Sequence, residues 1–170
     1  GNLMADVILS EANPIFKSRT GNDIDFVLLN HGGIRSIISK GNVSARTAYQ
    51  VMPFENSIAV VELKGSAIKA VVDFLIESGR AHPIAGMQIT LEPSGKLKSI
   101  KIKGRPLDTN RNYYVATSDY LVSGGDDMVF FKDALSVSSL DYLIRNAMID
   151  CFKKVDTLMA KVDNRFVRLK

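Results

Sequence analysis

Leu3, Val7, Ile8, Ala12, Ile15 and Phe16 recur near a helical spacing, which predicts an opening helix with Pro14 as its break or kink. A turn at Thr20-Gly21-Asn22-Asp23 leads into Asp25-Phe26-Val27-Leu28-Leu29, an almost wholly apolar run of the kind expected of a strand covered on both faces. Residues 57–63 (SIAVVEL) form a second such run. Lys64-Gly65-Ser66 punctuates it before Ile68, Val71, Val72, Leu75 and Ile76, which predict an amphipathic helix. Residues 86–91 and 97–102 both alternate around Pro93-Ser94-Gly95, the clearest hairpin signal in the chain. Residues 113–117 (YYVAT) read as another strand. Leu140, Leu143, Ile144, Ala147, Met148, Cys151 and Phe152 repeat at intervals of three and four, the strongest helical signal present, and residues 165–169 (RFVRL) predict a closing strand.

These elements predict one α/β domain of the mixed α+β kind, spanning residues 1–170, with a partly antiparallel sheet packed by helices. The hairpin argues against a purely parallel sheet. A chain of 170 residues that is 46% hydrophobic is large enough to bury a real core, which excludes disorder. No apolar stretch approaches the roughly eighteen residues that would cross a bilayer, and the first residues lack the pattern of a signal peptide, so the chain as given is expected to be soluble. A net charge of +4 is mild. Its one basic run, Lys96, Lys98, Lys101, Lys103 and Arg105, alternates with apolar residues and reads as a solvated strand face in preference to a nucleic-acid patch. The single Cys151 excludes an internal disulfide and lies in the helical stripe, where it reads as a small core residue.

Two glycine loops carry the candidate chemistry. Asn30-His31-Gly32-Gly33-Ile34-Arg35 and Ser123-Gly124-Gly125-Asp126 each follow a β-like run and end in a charged side chain, so backbone amides and a chosen charge can both approach a polar ligand. Arg35 offers a planar fork of donors for phosphate or carboxylate; taken alone, a surface ion pair is the plainer reading. Asn30 carries donors and acceptors for a sugar or phosphate group, and Asp126 suits a vicinal diol or a local cap. Phe54 and Tyr120 are aromatic residues in loops, where two rings can sandwich a flat heterocycle. Catalytic machinery is scarce. With only His31 and His82, the latter expected at the surface, a two-metal hydrolytic centre cannot be assembled, and no nucleophile elbow, P-loop or dinucleotide fingerprint is present. Asp119, Asp126 and Asp127 lack the alternation of a calcium loop.

The series Asn30-x-Gly32-Gly33-Ile34-Arg35, Pro53-Phe54-x-Asn56, Leu63-x-Gly65 and Ala116-Thr117-x-x-Tyr120-Leu121-x-x-Gly124-Gly125-Asp126, with Gly1-Asn2-Leu3-x-x-Asp6 ahead of it, resembles the C-terminal domain of the 5'-nucleotidase and UDP-sugar hydrolase family. The likeness runs from the first residues to about Phe131. It implies a division of labour in which a separate N-terminal metallophosphatase domain, in cis or as another subunit, carries two divalent metal ions and the catalytic residues. This chain would then have no catalytic residue, metal ligand or cofactor of its own and would bind the substrate: a nucleoside 5'-monophosphate, nucleoside or UDP-sugar. The resemblance implies Phe54 and Tyr120 around the base, Asp126 on the ribose hydroxyls, Asn30 and Arg35 toward ribose and phosphate, and Gly33 and Gly125 in the two loops. It also implies an extracytoplasmic location.

Departures from the family pattern accompany the likeness. An arginine that some members carry in the first helix falls near Pro14 here, His31 stands where a small residue is common, Asp127 replaces a glycine, and Tyr120 replaces the commoner Phe while keeping a stacking face. A stand-alone, non-catalytic nucleoside- or nucleotide-binding protein is the alternative reading. A degenerate interaction module is a third, against which the intact Asn30, Arg35, Phe54, Tyr120 and Asp126 argue.

Overall fold

Residues 1–170 are described by a computed structural model in which the apolar runs become five α-helices and nine strands. In chain order these are α1 (Asn2–Thr20), β1 (Phe26–Leu28), α2 (Ala45–Val51), β2 (Ser57–Lys64), α3 (Gly65–Glu77), β3 (Ile84–Ala85), β4 (Met87–Leu91), β5 (Leu97–Ile102), β6 (Arg105–Pro106), β7 (Asn112–Ser118), α4 (Asp119–Val122), β8 (Ser136–Leu143), α5 (Ile144–Lys154) and β9 (Phe166–Arg168). Short 3₁₀ turns occupy His31–Gly33, Gly125–Asp127 and Val129–Asp133.

The strands form two sheets. A five-stranded sheet runs in the order β3-β1-β7-β2-β8 and a four-stranded one in the order β6-β5-β4-β9. In the larger sheet β1 and β7 are parallel, whereas β2 is antiparallel to both β7 and β8. The mixed sheet and its packed helices match the expected fold class. The hairpin that argued against a parallel sheet, β4 with β5, lies in the smaller sheet, where β9 adds in parallel to β4.

Strand alternation explains the two cores. Val27, Leu29, Val60 and Ala116 point to one face, where α1, α2 and α5 supply Ile8, Phe16, Ala48 and Met148. Phe26, Leu28, Val61 and Val115 point to the other, against Ile68, Val72 and Leu75 of α3 and Ile89 and Ile102 of the smaller sheet. Both faces are dry, which is why β1 carries no polar residue.

Three expectations need correction. Pro14 does not break α1: the helix continues to Thr20, because Pro14 and Ser10, whose carbonyl loses its helical partner, are both exposed to water. The stripe that begins at Leu140 is not all helix. Leu140 and Leu143 belong to β8, and α5 starts at Ile144. Asp141 adopts a positive φ of 51° and the pairing with β2 shifts register nearby, so a bend in the strand, not a helical turn, sends Leu140 and Ile144 into the same core. The seven-residue α2, which has too short an apolar pattern to stand out, is fixed by a capping box between Ser44 and Thr47. The third correction, at His82, belongs to the site described next.

Candidate functional site

Sheet topology gathers the motifs at one end of the larger sheet. Val27 pairs with Ala116 in parallel, so the loop after β1 and the segment after β7, in which the short α4 precedes the second glycine motif, leave from the same edge. Ile58 pairs with Ser118 in antiparallel sense, which brings the segment before β2, with Phe54 and Asn56, to that edge as well. A cavity of about 270 Å³ opens there, lined by Asn30, Gly32, Gly33, Arg35, Phe54, Asn56, Tyr120 and Asp126. Six of the seven residues singled out from the sequence line it. The seventh, Gly125, supports it from behind, beneath the Tyr120 ring.

Asp126 sits at the junction of the two glycine loops. Its Oδ2 accepts a hydrogen bond from Asn30 Nδ2 at 2.7 Å, and its Oδ1 accepts one from the Tyr120 hydroxyl at 2.9 Å. One lone pair of each oxygen is thereby used to fix the plane of the carboxylate, and one on each is left for further donors. Asn30 is buried, so its amide is a rigid anchor. Bonding to Asp126 raises the Tyr120 pKa above that of an ordinary phenol, keeping the hydroxyl protonated and donating.

The glycines are required by close approach. A Cβ on Gly33 would meet Asn30 Oδ1 at 2.9 Å, and one on Gly125 would overlap Cε1 and Cζ of the Tyr120 ring. Tyr120 lies across the Gly125 backbone with 44% of its surface exposed, and Phe54 is 42% exposed. Two rings left this open beside a polar cavity are available for stacking. Arg35 is exposed, donates from Nη1 to the Gly32 carbonyl at 3.4 Å, and holds its guanidinium carbon 5.9 Å from the Phe54 ring centroid. It therefore sits over an aromatic face at the mouth of the cavity.

His82 was missed as a site element and is half-buried, not at the surface as expected. Its Nδ1 accepts the backbone N–H of His31 at 3.2 Å, which ties the first glycine loop to the chain before β3. Burial, followed by the nearby His31, lowers its pKa, consistent with a neutral ring that accepts at Nδ1. Nothing in His82-Pro83 as a sequence signals a partner fifty-one residues away. No three His, Cys, Asp or Glu side chains gather in a way that would hold a metal ion, so these residues do not suit a dimetal centre. Cys151, expected in the core, is only partly buried and packs against the edge of the first core, where burial raises its thiol pKa.

Residues 1–133 match the family model described as "5'-nucleotidase, C-terminal domain". Protein UshA of Escherichia coli is 33% identical over 114 residues, covering 64% of this chain and 20% of its own length. Cell wall protein Lmo0130 of Listeria monocytogenes is 30% identical over 149 residues, covering 79% of this chain and 19% of its own length. Among solved structures, the 5'-nucleotidase precursor from Thermus thermophilus superposes with a TM-score of 0.84 at 26% identity, covering 99% of this chain and 34% of that one. The chain thus spans about a fifth of the length of these two curated relatives.

Proposed function

Because the chain belongs to the 5'-nucleotidase C-terminal domain family, we propose that it is the substrate-binding and specificity domain of a 5'-nucleotidase-like hydrolase. The observation that carries this reading is the 270 Å³ cavity in which two exposed rings, an anchored carboxylate and an arginine converge. The ligand is a nucleoside 5'-monophosphate, a nucleoside or a UDP-sugar. The base stacks against Phe54 and Tyr120, each aromatic stack being worth about 1–3 kcal/mol. The ribose diol donates to the two free lone pairs of Asp126, one hydroxyl per oxygen. Asn30 fixes Asp126 and borders the ribose, while Arg35, at the mouth, faces the phosphate portion.

Hydrolysis requires a second domain. This chain's contribution is positioning: a nucleoside held by its base and its diol presents its phosphate at a fixed place, which lowers the entropic part of the barrier for whatever attacks it. The two divalent metal ions and the catalytic residues are assigned to a metallophosphatase domain, in the same polypeptide or in a partner subunit. An extracytoplasmic setting is proposed as well, supported by the name of the cell wall protein Lmo0130 among the relatives. No helix is long and apolar enough to cross a membrane.

Titration of the chain with AMP, adenosine and a UDP-sugar, with phosphate release followed in parallel with and without added divalent metal, tests the assignment. Binding without turnover is expected. Metal-dependent phosphate release by this chain alone refutes the division of labour, and the absence of any nucleoside binding refutes the site.

A further inference from the structure

The loop that carries Phe54 has no secondary structure of its own to hold it: residues 52–56 lie between the end of α2 and the start of β2. An exposed ring on such a loop is a poor stacking platform unless something fixes the backbone beneath it, since ordering a loop on binding costs free energy that rigid loops do not lose again. The fixing group comes from α5. Arg145, only 5% exposed, donates from Nη1 to the carbonyls of Pro53 at 3.0 Å and Phe54 at 3.2 Å. Its guanidinium carbon lies 4.2 Å from the centroid of the Tyr49 ring in α2, and its only carboxylate neighbour is the exposed Glu55, at 3.9 Å. One residue earlier, the backbone N–H of Ile144 donates to the Asn56 carbonyl at 3.0 Å.

A buried guanidinium solvated mainly by two carbonyl dipoles and a π face is an expensive way to hold a loop, and its Nε remains buried without a partner. Ordinary packing would be served as well by an apolar side chain. The two protons of the single Nη1 reach both carbonyls at once while the planar guanidinium rests on an aromatic ring, which an apolar side chain cannot do. Arg145 also lies beyond residues 1–133, the part that matches the family model, so the motif region alone does not contain the support for its own aromatic residue.

We infer that Arg145 is a positioning residue for base recognition: it clamps the Pro53 and Phe54 carbonyls and so preforms the Phe54 ring as a stacking surface. The inference rests on the nucleoside-binding reading given above. Arg145 touches no ligand in this scheme. Its effect passes entirely through Phe54, which separates it from a role in general stability.

The test is a double-mutant cycle in the 170-residue chain, reading adenosine and ribose 5-phosphate affinity by NMR titration and folding by thermal denaturation. Arg145→Met is expected to weaken adenosine about tenfold, the cost of ordering roughly one residue of the freed Phe54 loop on binding, while leaving ribose 5-phosphate, which has no base, unchanged. In a Phe54→Ala background the same substitution should have no further effect on adenosine. Arg145→Lys, which keeps a charged donor but not the planar group that rests on Tyr49, should recover part of the loss. Should Arg145→Met fail to fold, Tyr49→Leu, made at a half-exposed ring, removes the surface on which the guanidinium rests and should weaken adenosine selectively by a smaller factor. Equal losses for adenosine and ribose 5-phosphate, or losses that add fully to those of Phe54→Ala, overturn the inference. If wild-type chain binds adenosine and Phe54→Ala weakens it while neither Arg145→Met nor Tyr49→Leu does, the clamp is wrong and the site reading stands. If wild-type chain binds no nucleoside, both fall.

Discussion

Replacing Asp126 with Asn tests the diol contact more sharply than any deletion, because the substitution changes one lone-pair set and almost nothing else. The residue lies at φ 51°, a left-handed conformation that Asn tolerates as readily as Asp, so the backbone is not strained by the change. The side-chain amide can still accept from Asn30 Nδ2 and can donate to the Tyr120 oxygen, reproducing both contacts that now span 2.7 and 2.9 Å. What it cannot do is present an acceptor to both ribose hydroxyls, and it no longer carries charge. A hydrogen bond to a charged group contributes about 1.5–3 kcal/mol, which corresponds to roughly ten- to one-hundred-fold in affinity. Adenosine and 2',3'-dideoxyadenosine, titrated against wild type and Asp126→Asn, supply the assay. The variant should lose that factor for adenosine and almost nothing for the dideoxy compound, so that the two ligands become nearly equivalent. Equal losses for both, or an unchanged adenosine affinity with folding intact, would refute the assignment of Asp126 to the diol.

Phe54→Ala removes a ring that is 42% exposed, so thermal stability should move by no more than about 0.5 kcal/mol while base stacking worth about 1–3 kcal/mol is lost from nucleoside binding; comparison of melting and titration curves separates the two. Gly125→Ala forces the Tyr120 ring off the backbone it now covers, and overpacking of this kind costs about 1–3 kcal/mol, visible as a shifted Tyr120 ring resonance and weaker adenosine binding. His82 gives a pH dependence with a definite sign. Its pKa in the folded chain is below the ordinary 6.5, with burial the largest cause, so the unfolded chain takes up the proton first and stability falls as pH drops below about 6.5. Above that value both states are neutral and the contribution vanishes. His82→Asn retains an acceptor for the His31 N–H without a titrating ring, and should flatten the acid limb of the melting temperature against pH.

Legibility in the sequence followed the locality of the physics. Strands β1, β2, β4, β5 and β7 were readable because each presents a run of apolar or alternating residues whose meaning does not depend on distant partners. The lysines of the basic run in β5 are solvent-exposed, but alternation alone does not place them: Lys98 and Lys101 are three residues apart and both face water because the pairing with β4 shifts register beside Lys98. The boundary between β8 and α5 was not readable, since Leu140, Leu143 and Ile144 sit at helical spacing whether the chain coils or bends. Pairing of β8 with β2 decides between them. Likewise, Pro14 looks like a break until the helix is seen to place it, and the carbonyl it orphans, on the wet side.

The residue types at the site are all present in the linear chain: rings at 54 and 120, an acid at 126, an amide at 30 and glycines wherever a neighbour comes too close for a Cβ. Those are choices of chemistry, and they can be read without knowing where the chain goes. That they meet is a matter of topology. Residues 30, 54 and 126 share one cavity only because β1 and β7 run parallel and β2 runs against them, which sends three separate loops to one edge. The supports are equally non-local: His82 holds the His31 amide from fifty-one residues away, and Arg145 holds the Phe54 carbonyl from ninety-one. A lone histidine or arginine announces no partner in sequence, because hydrogen bonds are satisfied in space and the chain connectivity leaves no periodic trace of them.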